Sequence, residues 1–511
     1  MESPLSAQSD AESRFRTATI AALVLGVVAM LVLNVVPLAN NDVWLLMKVG
    51  ERIVDTGKIP ETLLFPFTLV RDNHFNAHEW LVSVIYHGFD RAFGLRHLMW
   101  LVGAFALLQF ALCVWLTRRQ SGSLGAALLL SLLAMLCANS RYVLRPELFA
   151  LLFLVWLLLV LDRYRATRRR TTLLWTLPIA VLWANCHGSF LLGPVVAALF
   201  ALGEALDGAK AAPGRVPERL RAGWGVGVPY AVAALAMTAA CAVNPDGWRL
   251  LAFPFQLQHS VATKMLVKEW LPTFSPLVMQ ERPFWIFAII AVATVALVTA
   301  LRRRLRATEA LLLLFFGALA LDRSRHFVWF GFIAATACAR LLGQSTPERR
   351  RELQLRVAAA GFALVAIVAS ARFGNAAYAT FSFAPSNNLG PGFVKELSDP
   401  AIKGPVLTSY ELGAEVIYRW WPRMQPSIDS RIDSYGDDYA LFHVRLLQDE
   451  PLLDLFLDGN RVNYMLLLRR DLDLGLRNMP SIRANWHIRL TDGDIFLIER
   501  NQLLSTTGPP R

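Results

Sequence analysis

Long apolar runs joined by short charged links dominate this chain, and they predict helices that cross a bilayer. Eleven are read as membrane spans, at about 17–38, 97–117, 123–139, 147–162, 172–186, 189–206, 224–243, 283–301, 308–322, 326–342 and 355–371. No small-residue cleavage site follows the first run, because Asn40-Asn41-Asp42 comes directly after it, so it reads as an anchored helix and not a removed signal. The pattern breaks in two places. Residues 39–96 form a polar interruption, and from 372 the composition changes to that of a soluble domain.

Within the interruption, Trp44 to Asp55 and His78 to Arg91 carry apolar residues at helical spacing with charges between them. They predict two helices lying along the membrane surface, joined by an extended stretch containing Pro60 and Pro66. In the tail, Pro405–Thr408, Ser427-Ile428, Val462–Leu468 and Ile495–Glu499 predict short strands, and Glu411–Trp421 and Asp438–Gln448 predict helices. The domain plan is therefore a membrane body over 1–371 with an outward first loop at 39–96, followed by a small α/β domain over 372–511.

Composition sharpens the class. Of 511 residues, 55% are hydrophobic and only 18% charged, and the mean hydropathy is +0.42, which excludes an ordinary soluble protein. The net charge of +12 has a topological reading. Arg14 and Arg16, Arg118-Arg119, Arg163 to Arg170, Lys210 to Arg221, Arg302 to Arg306 and Arg340 to Arg356 all fall on one side of the eleven-span plan. Short basic loops stay cytoplasmic, so the amino terminus is cytoplasmic and the first loop and tail face outward, toward the periplasm of a bacterium. Contact with anionic membrane lipids completes the account of the charge, and no nucleic acid is needed. All five cysteines lie in or at the ends of apolar runs and show no metal spacing, so they read as small buried residues.

Ionisable groups cost about 2.5–3.5 kcal/mol at the centre of a membrane helix on insertion scales, and here they gather at outward helix ends. Arg141 and Arg145 share a face if the third span continues helically to Pro146; Arg323, Arg325 and His326 cap a second group. One at a time, such arginines are interfacial side chains reaching for water. Together they make an anion site, because the planar guanidinium fork matches phosphate oxygens, and His187 or His326 adds a donor. Asp42 leaves the first span where a carboxylate can take a proton from an acceptor hydroxyl, and His78-Glu79 heads a predicted surface helix. The loop 244–282 adds Asn244-Pro245-Asp246-Gly247-Trp248 and Lys268-Glu269-Trp270, aromatics beside acids that suit sugar stacking and equally an interfacial aromatic belt.

The order of these motifs resembles a bacterial family of multi-spanning proteins related to the GT-C superfamily of glycosyltransferases, the group of the protein O-mannosyltransferases and lipid A aminoarabinose transferases. The carriers are Asp42-Val43-Trp44 with Gly50 and Ile59-Pro60, His78-Glu79-Trp80-Leu81, Arg145-Pro146-Glu147-Leu148-Phe149, and Trp183-Ala184-Asn185-Cys186-His187-Gly188-Ser189-Phe190. Asn244 to Trp248, Glu269-Trp270 and Arg325-His326 follow, and the tail adds Ser409 to Gly413 and Ile428 to Gly436. The resemblance implies a polytopic α-helical GT-C-like fold of about eleven transmembrane helices with a C-terminal α/β domain. It also implies a catalytic acid in the first outward loop and a polyprenyl-phosphate sugar donor. Many superfamily members place two adjacent acids in that loop, whereas Asp42 here follows two asparagines, so the base lies open between Asp42 and Glu79.

The resulting expectation is an inverting transferase of the bacterial inner membrane that moves a sugar to an envelope acceptor, a lipid or glycan hydroxyl. Asp42, Glu79 and His78 form the catalytic set; Arg141, Arg145, Arg323, Arg325 and His326 hold the donor phosphate; Trp44, His187, Glu269 and Trp270 meet substrate. The chemistry admits a divalent metal, but the sequence offers no ligand cluster for one. An O-antigen or polysaccharide ligase would use a diphosphate-linked glycan on the same kind of site. A transporter or flippase of the lipid-linked sugar would place polar groups near the midplane and show repeats, which this sequence does not.

Overall fold

A computed structural model describes residues 41–343, 353–364 and 389–501, with isolated positions between 21 and 27. The predicted span 17–38 therefore lies outside the described residues except for those positions, as do the second half of 355–371, Arg14 and Arg16, and Arg349 to Arg351. Two compact units form. One contains residues 97–251, 268–343 and 353–364; the other joins 41–96 and 252–267 to 389–501.

The second unit begins with two helices, α1 (Asp42–Thr56) and α2 (Trp80–Phe93), packed against each other. Gly50 permits their approach, since a Cβ there would lie 2.1 Å from the Ser83 carbonyl oxygen. Both stand where their apolar spacing put them, but α1 is not a half-exposed surface helix. Val43 to Gly50 are all buried, because a helix of the tail, Gly413–Trp420, covers the face that solvent would otherwise meet. Lys48, inside that stretch, pairs with Glu51 at 2.6 Å.

The first unit is helical: α3 (Leu98–Ser121), α4 (Leu124–Cys137), α5 (Glu147–Thr167), α6 (Thr176–Cys186), α7 (Leu192–Ala211), α8 (Val216–Ala240), α9 (Arg282–Ala300), α10 (Ala307–Asp322) and α11 (Phe327–Gly343). Among the described residues five helical stretches are long and apolar enough to cross a membrane: α3, α7, α8, α9 and Ser324–Gly343, which contains α11. The others fall short for visible reasons. Helices α4, α6 and α10 hold 14, 11 and 16 residues, or roughly 16–24 Å against a hydrocarbon core of roughly 30 Å. Helix α5 has 21 residues, but its apolar run from Leu148 to Leu161 is bracketed by Glu147 and Asp162. It is also buried along most of its length, packed on α3 and α6. Helices α7 and α8 form a tight hairpin in which a Cβ on Gly223 would lie 2.3 Å from the Ala205 carbonyl oxygen.

In the tail a five-stranded sheet runs in the order β2-β1-β3-β5-β4, with β1 (Gly404–Thr408), β2 (Met424–Pro426), β3 (Tyr464–Leu468), β4 (Trp486–Asp492) and β5 (Ile495–Arg500). Strand β1 is parallel to β2 and β3, and β5 is antiparallel to β3 and β4. The centre reads as continuous apolar sequence, as a strand covered on both faces should. Where Ser427-Ile428 predicts a strand, pairing ends at Pro426, and the Ser427 hydroxyl receives the Thr408 amide at 3.0 Å. The mostly exposed edge strand β4 and the helix Glu450–Gly459, capped by Asp449, were not predicted.

Candidate functional site

The predicted ionisable site residues fall mainly into two groups, one in each unit. In the helical unit, α4 ends at Cys137, and a single 3₁₀ turn (Asn139–Arg141) leads to Pro146. The helix needed to put Arg141 and Arg145 on one face is therefore absent. They converge nevertheless, because both reach Glu269 on the turn Lys268–Trp270: Arg141 Nη1 lies 2.6 Å from its Oε2, and Arg145 pairs with its Oε1. Arg141 also stands 3.5 Å from Glu147, the first residue of α5, where an acid is favoured by the helix dipole.

The turn Ser324–His326 closes this group. The Arg325 guanidinium stacks 4.2 Å over the Trp270 ring, Arg323 donates to the Trp270 carbonyl at 2.7 Å, and the Ser324 hydroxyl donates to the Glu269 carbonyl at 3.4 Å. Arg323 is further paired with exposed Asp322 at 3.4 Å. Among the described residues Arg325 forms no ion pair. Burial by itself would raise the Glu269 carboxyl, but Arg141, Arg145 and Arg325 overcome it and hold Glu269 well below the usual carboxylate range. The four predicted phosphate-binding arginines thus belong to one group, with His326 adjoining Arg325 in the chain, and Glu269 and Trp270 are its counter-ion and its stacking surface.

In the other unit, His78 Nε2 lies 3.5 Å from Glu79, and the imidazole packs on Phe253 with ring centroids 4.2 Å apart. The tail contributes Asp433 to this neighbourhood. Its Oδ2 accepts from Asn76 at 3.5 Å and from the Ser434 hydroxyl at 3.3 Å. Burial chiefly pushes the Asp433 carboxyl up; Glu79 adds to the rise, while His78 and Arg431 oppose it. The candidate set contained Glu79 and His78 but not Asp433. Its signal was present in Asp429-Ser430-Arg431-Ile432-Asp433, where the first acid is structural: fully buried Asp429 receives Arg431 at 2.9 and 2.5 Å and the Tyr435 hydroxyl at 2.9 Å. Arg431 also reaches back to the Leu63 carbonyl at 3.2 Å, so this network fastens the first loop to the tail.

Asp42 is half-buried at the first position of α1. Trp44, two residues on, is enclosed, its ring 5.0 Å from Tyr418 and 5.0 Å beneath the Arg419 guanidinium. His187 is held in its own turn, where its Nδ1 accepts the Ser189 amide at 3.1 Å and lies 2.8 Å from the Ser189 hydroxyl. Next to it, Asn244 donates to the Ala184 carbonyl and to the Asn185 side chain, both at 3.1 Å, tying that turn to the start of loop 244–282. Among the described residues no three His, Cys, Asp or Glu side chains are grouped so as to hold a metal ion.

No family model matches the sequence, and no curated protein matches it either. Solved structures do. The archaeal oligosaccharyltransferase AglB from Archaeoglobus fulgidus, in complex with an inhibitory peptide and a dolichol-phosphate, is similar with a TM-score of 0.57 at 13% identity, over 95% of this chain and 74% of that one. The same organism's oligosaccharyltransferase tethered to an acceptor peptide gives 0.55 at 12% identity, over 92% and 72%. ArnT from Cupriavidus metallidurans, bound to undecaprenyl phosphate, gives 0.51 at 14% identity, over 98% and 99%. At such identities the likeness is one of fold alone.

Proposed function

We propose that this chain is a membrane glycosyltransferase that takes a sugar from a polyprenyl-phosphate carrier and passes it to a hydroxyl of an envelope acceptor on the periplasmic face of the inner membrane. Arg325 is the observation that carries this reading. It is a guanidinium stacked on Trp270, within the field of Arg141 and Arg145, and without an ion-pair partner among the described residues. A cation held in that way is ready for an anion, and the fold is shared with proteins solved with dolichol-phosphate and undecaprenyl phosphate.

In the proposed reaction the donor phosphate rests on Arg325, Arg141 and Arg145, with Arg323 and His326 beside it. Asp42 takes the proton of the acceptor hydroxyl. The freed oxygen attacks the anomeric carbon on the side opposite the phosphate, the carbon–oxygen bond to phosphate breaks, and its electron pair leaves on the phosphate with inversion at carbon. The arginines bind that product more strongly than the donor, because the charge on the phosphate grows as the bond breaks. Glu79 and His78 position the acceptor, with Asp433 as a neighbouring acid, while His187 contributes to substrate binding from its own turn; Trp44, buried in α1 under Tyr418 and Arg419, is structural. The direct test is transfer from a radiolabelled polyprenyl-phosphate sugar by membranes carrying wild type, Asp42→Asn or Glu79→Gln. Loss in Asp42→Asn supports the scheme; full activity in Asp42→Asn overturns Asp42 as the base, and full activity in both variants overturns the scheme whole.

A further inference from the structure

Helices α3 and α5 leave a groove between them that the proposed reaction does not use. It encloses a cavity of about 630 Å³. Its floor is aliphatic, formed by Leu108 and Leu112 of α3 and Leu152 and Leu159 of α5. Trp115, Trp156 and Trp175 stand along it, the last two with ring centroids 6.1 Å apart. The carboxyl-terminal ends of the two helices supply Arg119 and Arg163, and the link after α5 supplies Arg169, with the hydroxyls of Thr171 and Thr172 beside them. From Leu108 to Arg119 the groove rises by about 16 Å along α3.

Polarity thus changes along the groove, from hydrocarbon in mid-helix to guanidinium at the helix end. Arg119 is partly engaged, 3.7 Å from Asp162. Arg163 and Arg169 are exposed and form no ion pair among the described residues. A water-soluble anion would satisfy the basic end and leave the aliphatic floor empty. A zwitterionic lipid would fill the floor and add no net charge to balance the two arginines. Tryptophans along the walls suit the depth where acyl chain gives way to headgroup.

We infer that this groove is a binding site for an anionic phospholipid, with one acyl chain lying on Leu108, Leu112, Leu152 and Leu159 and the headgroup phosphate on Arg163 and Arg169, supported by Arg119. The site is separate from the arginine group around Glu269 and stands at the other end of α5.

The test uses the full-length protein purified in detergent, titrated with dioleoyl-phosphatidylglycerol or dioleoyl-phosphatidylcholine and read by native mass spectrometry. Wild type should retain phosphatidylglycerol about tenfold better than phosphatidylcholine, a preference in keeping with two basic side chains facing a headgroup of net negative charge. The R163Q/R169Q double variant should lose that preference. Leu112→Trp, which fills the floor and leaves every charge in place, should lower retention of both lipids. Two results would overturn the inference. One is equal retention of the two lipids by wild type, or an unchanged preference in the double variant. The other is wild-type retention by Leu112→Trp, which would reduce the basic end to a charged surface without a groove. Both changes lie at half-exposed or exposed positions, and matching thermal unfolding of each variant and wild type checks that the fold is retained.

Discussion

Helix α5 carries a cluster of charge at each end, and the two clusters are built differently. At its amino terminus Arg141, Arg145 and Arg325 surround Glu147 and Glu269. Near its carboxyl terminus Arg165 pairs with Glu204 at 2.8 Å and Glu309 at 2.7 Å, Arg306 joins Glu204 and Asp207, and Arg340 bridges Glu309 and Asp162. Arg119 and Arg168 complete that second network through Asp162 and Glu204. Every arginine of that network has a carboxylate, and the Glu204 and Glu309 side chains are only 1% and 8% exposed. At the other end Glu269 and Arg145 are 29% and 28% exposed, and Arg325 is left with an aromatic ring in place of an acid. A closed, fully paired network locks helices together; an open one with a cation to spare is fit to receive a ligand. Buried ion pairs contribute little net stability when intact but cost much when one partner is removed, so the two ends should respond to mutation in opposite ways.

The contrast breaks first at Arg325. Arg325→Gln should lower sugar transfer about 100- to 1000-fold, the usual effect of deleting one preorganised donor to a developing anion, while thermal unfolding in detergent stays close to wild type. At the closed end Glu309→Gln leaves Arg165 and Arg340 short of a partner and should destabilise the protein by about 3–5 kcal/mol, measured by denaturation, with transfer by the remaining folded protein little changed. If Arg325→Gln unfolded the protein instead, or Glu309→Gln abolished transfer without destabilising it, the division of roles would be wrong.

Two smaller effects sharpen the picture in the other unit. The Asp433 carboxyl is pushed up, chiefly by burial, so if its ionised form assists at the acceptor, activity must fall as pH drops through that raised value. Asp433→Asn should remove that limb of the pH profile. Asp437 caps the short helix Val261–Leu266, accepting from the Ser260 hydroxyl at 2.6 Å and the Val261 and Ala262 amides at 2.7 and 3.1 Å. Burial opposes its ionisation, but those hydrogen bonds prevail and depress its value. Its contribution is therefore present above the ordinary aspartate range and lost as pH falls through the depressed value. Asp437→Asn should cost this unit about 1 kcal/mol, read as a lower unfolding midpoint at neutral pH and a smaller difference in acid.

Much of the membrane body was legible, because apolar runs of adequate length mean the same thing almost anywhere. Apolarity alone did not separate charge-bracketed α5 and the short helices α4, α6 and α10 from the five stretches long and apolar enough to cross a membrane. The arginines of the open cluster could be picked out because cations at the ends of apolar runs are conspicuous. Their counter-ion could not: Glu269 is 124 residues from Arg145, and nothing in the spacing links them. The closed network was hidden for a related reason. Its arginines were read as a topology signal, and Asp162, Glu204, Asp207 and Glu309 lay scattered among the basic segments as ordinary helix-end acids. Arg119, Arg165, Arg306 and Arg340 come together through Asp162, Glu204 and Glu309, contacts of which their separate places along the chain showed no sign. In the tail, the edge strand β4 lacks a clear apolar alternation, whereas β3, apolar throughout, was plain.

The link from Arg431 to the Leu63 carbonyl spans 368 positions of chain. At a synthesis rate of about 5–20 residues per second, the first loop leaves the ribosome roughly 20–70 s before the residue that fastens it. For that interval Phe65 and Phe75, which later pack beneath the Arg431 guanidinium, have no such cover. The loop that carries the proposed acids must wait for nearly the whole protein to be made, so a chain stopped anywhere short of the tail is left with its first loop unfastened.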